Sequence, residues 1–451
     1  MTRSPNILLI IADDHRHDAI HAFGDPSVQT PTLDALAAGG TALRRNYIQG
    51  GLSGAVCVPT RACLHTGANT FAAVMSQHVD DTRSLMTLDP TLPTLGETLS
   101  NHGYHTFATG KWHNDKASFN RSFAAGSRIF FGGMSDHNAV PLHEYDPTGR
   151  YPDAARYTGA GFSSELFADA AIQFIQQQDG APPFFCYLAF TAPHDPRTPP
   201  GDFATLYDPA AIPLPANFLP EHPFANGELV IRDEKLAPWP RTPAVVQQHL
   251  ADYYGMISHM DHQIGRVIDA LRTIGQLAQT VIVYVADHGL AVGQHGLLGK
   301  QNLYDHSIRV PLILQGPGVP AGVEVNALTY SYDLYPTLCA LANVLAPTHL
   351  AGQSLLPLTQ GAAGHPYVCT VYKDLMRSIR MGDWKLIRYY YSAARQCGTA
   401  HVQLFNLAED PWEMHNLATD ALHQPRVALL QAQLQAWMAE VNDPLLSSQN
   451  I

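Results

Sequence analysis

The 451-residue sequence has few cysteines, and none of them stands in a Cys-x-x-Cys pair. A small, scattered set of cysteines is typical of reduced thiols, and it argues against a disulfide framework and against a zinc site built on sulfur. With 46% hydrophobic and 15% charged residues, the chain has enough apolar side chains to bury a large core instead. The six cysteines are Cys57, Cys63, Cys186, Cys339, Cys369 and Cys397.

Basic residues and long hydrophobic runs are also scarce. Lysine and arginine number 27 against 39 acidic residues, which gives a net charge of -12 and disfavours nucleic acid and anionic lipid as partners. No run of about 18 apolar residues predicts a membrane span, and the N-terminus leads into a strand-like run without a cleavage site. The sequence as given therefore predicts a cytoplasmic protein, and a trimmed export signal would make it periplasmic instead.

Short apolar runs alternate with helical patterns along most of the chain. In the clearest helical pattern, Val245 to Ile274, apolar residues recur every three or four positions. Continuous apolar strands between helices predict an α/β fold with a large, mostly parallel sheet flanked by helices. The strand-like runs are Ile7 to Ala12, Tyr104 to Ala108, Phe184 to Phe190, Val281 to Ala286 and Pro311 to Leu314.

The composition changes near Gly361 to Pro366. Three strand-like runs follow, Tyr367 to Tyr372, Trp384 to Tyr390 and Gln403 to Leu407, and then a helical stretch from about Gln424 to Val441. We therefore predict a large α/β domain over residues 1–360 and a smaller α+β subdomain with a small antiparallel sheet over residues 361–451. Residues 196–243 are rich in proline and too long for a simple connector. Long structured loops usually border binding sites, although a surface wrap without function is the alternative.

Polar residues follow several of the predicted strands. Asp13 and Asp14 end the first run, and Asp287 and His288 end another. Ligands of parallel sheets sit at the carboxyl ends of strands, although a single acidic pair there is often only a helix cap. Three carboxylates gathered at one edge repel one another unless a cation lies among them. Their oxygens favour Ca²⁺, with Mg²⁺ and Mn²⁺ as alternatives. His288 is predicted to add one imidazole nitrogen, and residue 57 to complete the ligand set with the substrate.

Two more runs end in polar residues that could face the same edge. Lys111 and His113 follow the run at Tyr104, and His194 follows the run at Phe184. Most of the 23 histidines must be structural, but the strand-end positions favour His113 and His194 as site residues.

The most specific motif is Cys57-Val58-Pro59-Thr60-Arg61, which follows a glycine-rich run and opens a helix-like stretch. Taken alone, Pro59 suits a first helical turn, Arg61 suits a solvated side chain, and one apolar cysteine is as typical of a core as of chemistry. Free amides at a helix N-terminus favour an anion there, which supports a functional interpretation.

This motif resembles the signature of the type I sulfatases, in which the cysteine is oxidised to formylglycine, although Thr60 stands where serine is usual. Other segments resemble elements of that family in the same order, including the bacterial carbohydrate sulfatases. The resemblance implies the alkaline phosphatase superfamily fold. The segments are Thr109 to His113, Ala192 to His194, Ala286 to Gly289 with Gly293 to Gly296 and Gly299-Lys300, Arg309 to Leu312, and Leu404 to Leu407.

The resemblance also implies a mechanism and a partner. One oxygen of the formylglycine hydrate attacks sulfur and its other hydroxyl expels sulfate, with a divalent metal polarising the ester. A formylglycine-generating or other sulfatase-maturing enzyme must modify Cys57 first. In the roles that the resemblance implies, Arg61 holds the formylglycine, Lys111 and Lys300 contact the sulfate, His113 takes the second diol proton and His194 protonates the leaving alcohol.

These observations predict hydrolysis of sulfate esters on a small carbohydrate, a mono- or oligosaccharide such as a 2-O-sulfated uronic acid. Arg197 and Arg241 are the candidates to bind a uronate carboxylate. One alternative is a phosphonate monoester or phosphodiester hydrolase of the same superfamily, which would use the same nucleophile and metal. The other is a noncatalytic sugar-binding protein that keeps the pocket without the modification.

Overall fold

The strand at Asn6–Asp13 is buried along its whole length, as its unbroken apolar run predicts. It belongs to a computed structural model that describes residues 4–76 and 82–448. The strands in those ranges are β1 (Asn6–Asp13), β2 (Thr41–Leu43), β3 (Asn46–Tyr47), β4 (Gly50–Gly51), β5 (His105–Lys111), β6 (Ala125–Phe130), β7 (Pro141–Leu142), β8 (Tyr157–Thr158), β9 (Phe184–Pro193), β10 (Thr280–Ala286), β11 (Leu312–Gln315), β12 (Val323–Val325), β13 (Thr329–Tyr330), β14 (Val368–Tyr372), β15 (Met376–Met381), β16 (Trp384–Ser392) and β17 (Cys397–Asn406).

Helices cover the sheet. The longest, which the apolar period predicts, starts where the Thr242 hydroxyl accepts a hydrogen bond from Val245 N, and it packs against β9. The helices in the described ranges are α1 (Pro31–Ala38), α2 (Cys57–Thr66), α3 (Thr82–Met86), α4 (Leu95–Asn101), α5 (Lys116–Ser122), α6 (Ser163–Gln176), α7 (Pro243–Thr273), α8 (Asp305–Ile308), α9 (Leu334–Ala342), α10 (Gln424–Glu440) and α11 (Pro444–Ser448). None of these helices is long and apolar enough to cross a membrane.

The main sheet has eight strands in the order β12-β2-β11-β10-β1-β9-β5-β6. All of its pairs are parallel except those on either side of β11, which runs antiparallel to β10 and to β2. The prediction of a large, mostly parallel sheet flanked by helices is confirmed. The five predicted strands correspond to β1, β5, β9, β10 and β11.

The register of the parallel strands brings their polar ends to one edge of the sheet. Ala12 of β1 is paired with Ala286 of β10, so Asp13 and Asp287 follow at the same level. On the other side of β1, Asp13 is paired with Pro193, the residue before His194. Parallel pairing therefore gathers side chains that are almost 300 residues apart in the sequence.

The C-terminal sheet has the order β17-β16-β15-β14-β4. Its strands β14, β16 and β17 and the helix α10 match the predicted runs, whereas β15 was not predicted. The strand β4 comes from the glycine-rich run before Cys57 and pairs in parallel with β14. The subdomain is therefore joined directly to the loop that leads into Cys57, and the boundary at residue 360 stays a prediction.

Candidate active site

Three carboxylates and one thiol lie together at the edge where β1 and β10 end. Ligand atoms of Asp13, Asp14, Cys57 and Asp287 all lie within 4.8 Å of one another, and all four residues are buried. Asp14 has a φ of 68°, in the left-handed region that aspartate tolerates better than most residues, and its amide donates to Asp287 Oδ1 at 3.3 Å. The structure thus brings together the acidic residues that strand-end placement predicted.

His288 is buried beside Asp287 but does not belong to this group of four. Its Nδ1 lies 2.6 Å from the carbonyl oxygen of Gly289. Burial and the nearby Lys300 charge lower the pKa of His288 to about 4, so its ring is neutral, as a metal ligand must be. Its role as a ligand stays a prediction.

Cys57 is the first residue of α2, a helix whose N-terminus has no side-chain cap. Its thiol donates to Asp13 Oδ1 at 3.3 Å and accepts from Lys300 Nζ at 3.0 Å. Burial, followed by the negative charges of Asp13 and Asp287, holds the pKa of the Cys57 thiol well above its ordinary value. A thiol that stays protonated is a poor nucleophile, which agrees with a precursor role for this cysteine.

Arg61 lies one helical turn after Cys57 and is completely buried. Its Nε donates to Asp287 Oδ2 at 2.7 Å, and one terminal nitrogen donates to Lys111 O at 2.7 Å and to Tyr187 Oη at 2.9 Å. The guanidinium thus ties α2 to the ends of β5 and β10 and to the side chain of Tyr187 in β9, and it fixes residue 57 in place.

Two ammonium groups reach the same carboxylates from opposite parts of the chain. Lys300 Nζ lies 2.7 Å and 2.8 Å from the two oxygens of Asp14, and Lys111 Nζ is paired with Asp13. Both lysines are buried, so their charges act in a poorly hydrated environment. They converge on the position where the sequence predicts contacts to sulfate.

The donor set fits a divalent metal. Burial and the charges of Asp13 and Asp287 raise the pKa of Asp14 to about 8, although Lys300 opposes this rise. Burial likewise acts to raise the pKa of Asp13, but Lys111, Lys300 and Arg61 outweigh it and lower that pKa. A cation among these oxygens would remove the repulsion and would leave the lysines free to face an anion.

The two predicted histidines have different surroundings. His194 Nε2 lies 3.5 Å from Asp14 Oδ2, and its Nδ1 lies 3.2 Å from Asp195 Oδ1. His113, with a φ of 58°, rests against Gly133, where an added Cβ would stand 2.6 Å from His113 Nε2. A left-handed histidine against a glycine is a strained arrangement of the kind found at functional sites.

Burial, and then the nearby lysines, holds the pKa of both histidines well below 6.5. Asp195 opposes this effect at His194, whereas the neighbouring charges at His113 are all cationic. A bound anion would raise both pKa values, and His194 would then hold a proton more readily than His113.

Three further residues support His194. Asp195 accepts from Arg232 at 2.6 Å and 3.1 Å, and His137 Nε2 lies 2.9 Å from the His194 carbonyl oxygen. Asp195 could have been suspected from the sequence, because it directly follows His194. Nothing local connects Arg232 or His137 with a strand 40 or more residues away.

Four of the site residues, Cys57, His113, His194 and Lys300, form the floor of a cavity of about 310 Å³. The predicted proline-rich stretch borders it, through Glu228, Arg232 and Asp233 among others. Arg197 and Arg241 do not line it; Arg241 is buried and paired with Glu234 Oε2 at 2.9 Å. The complete lining is Gly54, Ala55, Cys57, His113, Gly133, Met134, His194, Glu228, Ile231, Arg232, Asp233, Lys300, Gln301, Tyr372 and Lys373.

Known proteins share this fold over almost the whole chain. A structure solved in complex with its substrate D-glucosamine-2-N,6-O-disulfate has a TM-score of 0.80 at 24% identity and covers 98% of this chain and 99% of that one. The phosphonate monoester hydrolase of Agrobacterium radiobacter has a TM-score of 0.75 at 23% identity, with coverages of 97% and 96%. At such identities these similarities establish the alkaline phosphatase-like fold alone.

Sequence relatives are similar along their length as well. The N-acetylglucosamine-6-O-sulfatase of Bacteroides thetaiotaomicron is 26% identical over 98% of this chain and 88% of that protein, and arylsulfatase K of Mus musculus is 26% identical over 93% and 77%. Residues 293–440 match the family of N-sulphoglucosamine sulphohydrolase C-terminal regions. Residues 5–344 match the sulfatase family, and this chain therefore belongs to that family of sulfuric ester hydrolases.

Proposed function

We propose that the protein removes sulfate from a small sulfated carbohydrate, using a formylglycine made from Cys57 and a divalent metal, with Ca²⁺ favoured over Mg²⁺ and Mn²⁺. The observation that carries this proposal is the position of Cys57 at a helix N-terminus, among three carboxylates and two lysines, on the floor of the cavity. The similarity to an N-acetylglucosamine-6-O-sulfatase supports a carbohydrate substrate.

Each residue of the candidate site has a role in this proposed reaction. A metal held by Asp13, Asp14, Asp287 and residue 57 would act as a Lewis acid toward the sulfate oxygens. A hydrated formylglycine would supply the attacking hydroxyl and a second hydroxyl for sulfate release. Arg61 holds residue 57 in position, and Lys111 and Lys300 bind the negative charge of the sulfate. Because both lysines are buried, that charge is stabilised without reorganisation of water.

The two histidines divide the proton transfers. His113 has cationic neighbours and is suited to accept a proton. Asp195 opposes the lowering of the His194 pKa, so with an anion bound His194 is the better suited of the two to hold a proton and donate it to the departing oxygen. His194 is predicted to matter most for substrates whose leaving alcohol is a poor leaving group.

His194→Ala is therefore expected to lower kcat/KM for an alkyl or sugar sulfate by about 10² to 10⁴ fold, the usual contribution of a general acid. The loss for 4-nitrophenyl sulfate is expected to be at least tenfold smaller, because nitrophenolate needs no proton to depart. Steady-state kinetics on both substrates measures the difference. Equal losses on both would refute the role of His194 as the acid.

The substrate class is tested by sulfate release from defined sulfated mono- and disaccharides, with an intact sulfated polymer and 4-nitrophenyl sulfate for comparison. We expect the short sugars to react faster than the polymer, because the cavity of about 310 Å³ has room for one or two rings. Equal or faster reaction of the polymer would contradict the proposal. A preference for sulfated uronides stays a prediction, and Arg197 and Arg241 do not support it, since neither lines the cavity.

The two alternatives are separated by other measurements. A large preference for an aryl phosphonate monoester over the aryl sulfate would make the protein a phosphonate hydrolase. Mass spectrometry of the peptide that contains residue 57, after coexpression with a formylglycine-generating enzyme, tests the noncatalytic alternative. An unconverted thiol there would favour a sugar-binding protein.

A further inference from the structure

The outer wall of the cavity contains three polar residues that take no part in the chemistry described above. Glu228 belongs to the proline-rich stretch, and Tyr372 and Lys373 lie at the end of β14 in the C-terminal sheet. Glu228 is 5% exposed and Tyr372 is 1% exposed, so both polar groups have been withdrawn from bulk water. We refer to Glu228, Tyr372 and Lys373 as the outer triad.

The outer triad has unused hydrogen-bonding capacity. Lys373 Nζ donates to Glu228 Oε1 at 2.7 Å, which leaves Glu228 Oε2 buried and without a hydrogen-bond partner among the described residues. The Tyr372 hydroxyl, also buried, lies close enough to the Glu228 carboxylate for the two to interact, but it forms no well-directed hydrogen bond in the same part of the chain. A buried polar atom without a hydrogen-bond partner is destabilising, so Glu228 Oε2 at this cavity wall points to a missing ligand.

The backbone around the outer triad is arranged to present it to the cavity. Lys373 has a φ of 43°, a left-handed conformation that a lysine rarely adopts. Gly54 gives it room, because a Cβ there would stand 3.1 Å from Lys373 Cε and 3.3 Å from its Nζ. Gly54 lies three residues before Cys57, so the outer triad sits directly over the loop that leads to the reacting residue.

The charges of this wall select the kind of group that it can bind. Burial and the negative charge of Glu228 hold the pKa of Tyr372 well above its ordinary value, so the phenol keeps its proton. Arg232, at the same rim, is already paired with Asp195 and Asp233. A substrate carboxylate would meet the free Glu228 oxygen and be repelled, whereas a group that donates one hydrogen bond and accepts another satisfies the wall.

We propose that the outer triad is the specificity subsite for the sugar, and that Glu228 Oε2 accepts a hydrogen bond from a hydroxyl or amino group that the substrate carries near its sulfate. A substrate hydroxyl would in turn accept from Tyr372 or Lys373. This inference rests on the proposed function, since it identifies the part of the sugar leaving group that the cavity recognises.

Equilibrium binding tests the subsite without turnover. The probes are D-glucosamine 6-sulfate, D-glucose 6-sulfate, 4-nitrophenyl sulfate and inorganic sulfate, titrated calorimetrically into Cys57→Ala protein with Ca²⁺ present. The two sugar sulfates are expected to bind at least tenfold more tightly than the two probes without such a donor. Adding Glu228→Gln is expected to weaken sugar binding by about 10 to 100 fold, the range for one hydrogen bond to a charged group.

Further variants separate recognition from structure. Tyr372→Phe removes only a hydroxyl oxygen and is expected to weaken sugar binding by about 3 to 10 fold while leaving the melting temperature unchanged. Glu221→Gln, an exposed glutamate of the same stretch that does not line the cavity, is the matched control and should change nothing. A larger effect of Glu228→Gln on glucosamine than on glucose sulfate would identify an amino group, and the reverse a hydroxyl.

The outcomes are decisive for the subsite separately from the proposed function. Sugar sulfates that bind no more tightly than inorganic sulfate, or a Glu228→Gln effect of the same size on every probe, would overturn the subsite. Selective sugar binding without any sulfate release by the mature enzyme would instead overturn the proposed function and leave the subsite standing.

Discussion

Replacement of Cys57 by alanine or serine is expected to reduce sulfate release by about 10⁴ fold or more, the usual consequence of removing a covalent nucleophile. Alanine offers no nucleophile at all. Serine offers one hydroxyl, so it could be sulfated once but would have no second hydroxyl with which to expel the sulfate. Both losses follow if the working group is made from the cysteine and has two oxygens.

The fold should survive either replacement, because the small Cys57 side chain lines the cavity and does not belong to the large hydrophobic cluster of the described residues. Circular dichroism and melting temperature check this, and mass spectrometry verifies the identity of residue 57 in each preparation. Cys63→Ala is the matched control, since Cys63 is buried in the same helix but does not line the cavity. A verified Cys57→Ser protein that works at nearly the parent rate would show that the formylglycine is unnecessary.

The strands of the main sheet that the sequence predicted are mostly buried on both faces. In β1, β9 and β10 every residue is buried. Because burial on both faces favours apolar residues at successive positions, such a strand can be recognised in the sequence as a nearly continuous apolar run. Most residues of β6 are only half-buried, and β2 has three residues, so neither leaves a run that could be recognised. β15 has two arginines and a serine among its six residues, so it leaves no apolar run, and Arg377 and Arg380 are buried by partners that only the fold supplies.

The residues of the candidate site likewise fall into those that strand positions predicted and those that they did not. Asp13, Lys111, His194 and Asp287 could be predicted because each ends or directly follows a strand, and the register of parallel strands brings such ends together. Lys300 carried no strand signal, and the resemblance alone pointed to it. Its contact with Asp14 requires a loop that only the tertiary structure positions.

The sequence predicted that the proline-rich stretch borders a site, but the individual residues of the outer wall could not be predicted. Tyr372 reaches the cavity because β14 pairs with Gly50 and Gly51, a two-residue strand too short to recognise in the sequence. Glu228 lies in an irregular proline-rich stretch without periodicity, so the sequence does not indicate which way its side chain points. The residues of the proposed specificity subsite are therefore brought to the cavity by tertiary contacts that the sequence does not reveal. Most residues of the cavity floor, in contrast, lie at strand ends that it does reveal.

The metal prediction rests on the same strand ends, and chelation is expected to lower the melting temperature of the parent protein. A metal that binds only the folded state stabilises it by RT ln(1 + [L]/Kd), which is about 2.7 kcal/mol at a free concentration 100 times Kd. Asp13→Asn keeps the size of the side chain but removes one charged ligand from the group of four. It is therefore expected to cost several orders of magnitude in activity, on the order of 10³ fold, because the Lewis acid is lost from the sulfate site.

Differential scanning calorimetry with and without a chelator separates this effect from simple destabilisation. Asp13 is also paired with Lys111, so the variant has a reason to melt at a different temperature even without metal. The specific expectation is that the chelator lowers the parent melting temperature and leaves that of Asp13→Asn unchanged, and that added Ca²⁺ restores the parent more effectively than Mg²⁺ or Mn²⁺ does. Parent activity and melting that stay constant through exhaustive chelation would refute the metal site, because three buried carboxylates balanced by Lys111, Lys300 and Arg61 alone would then suffice for the reaction.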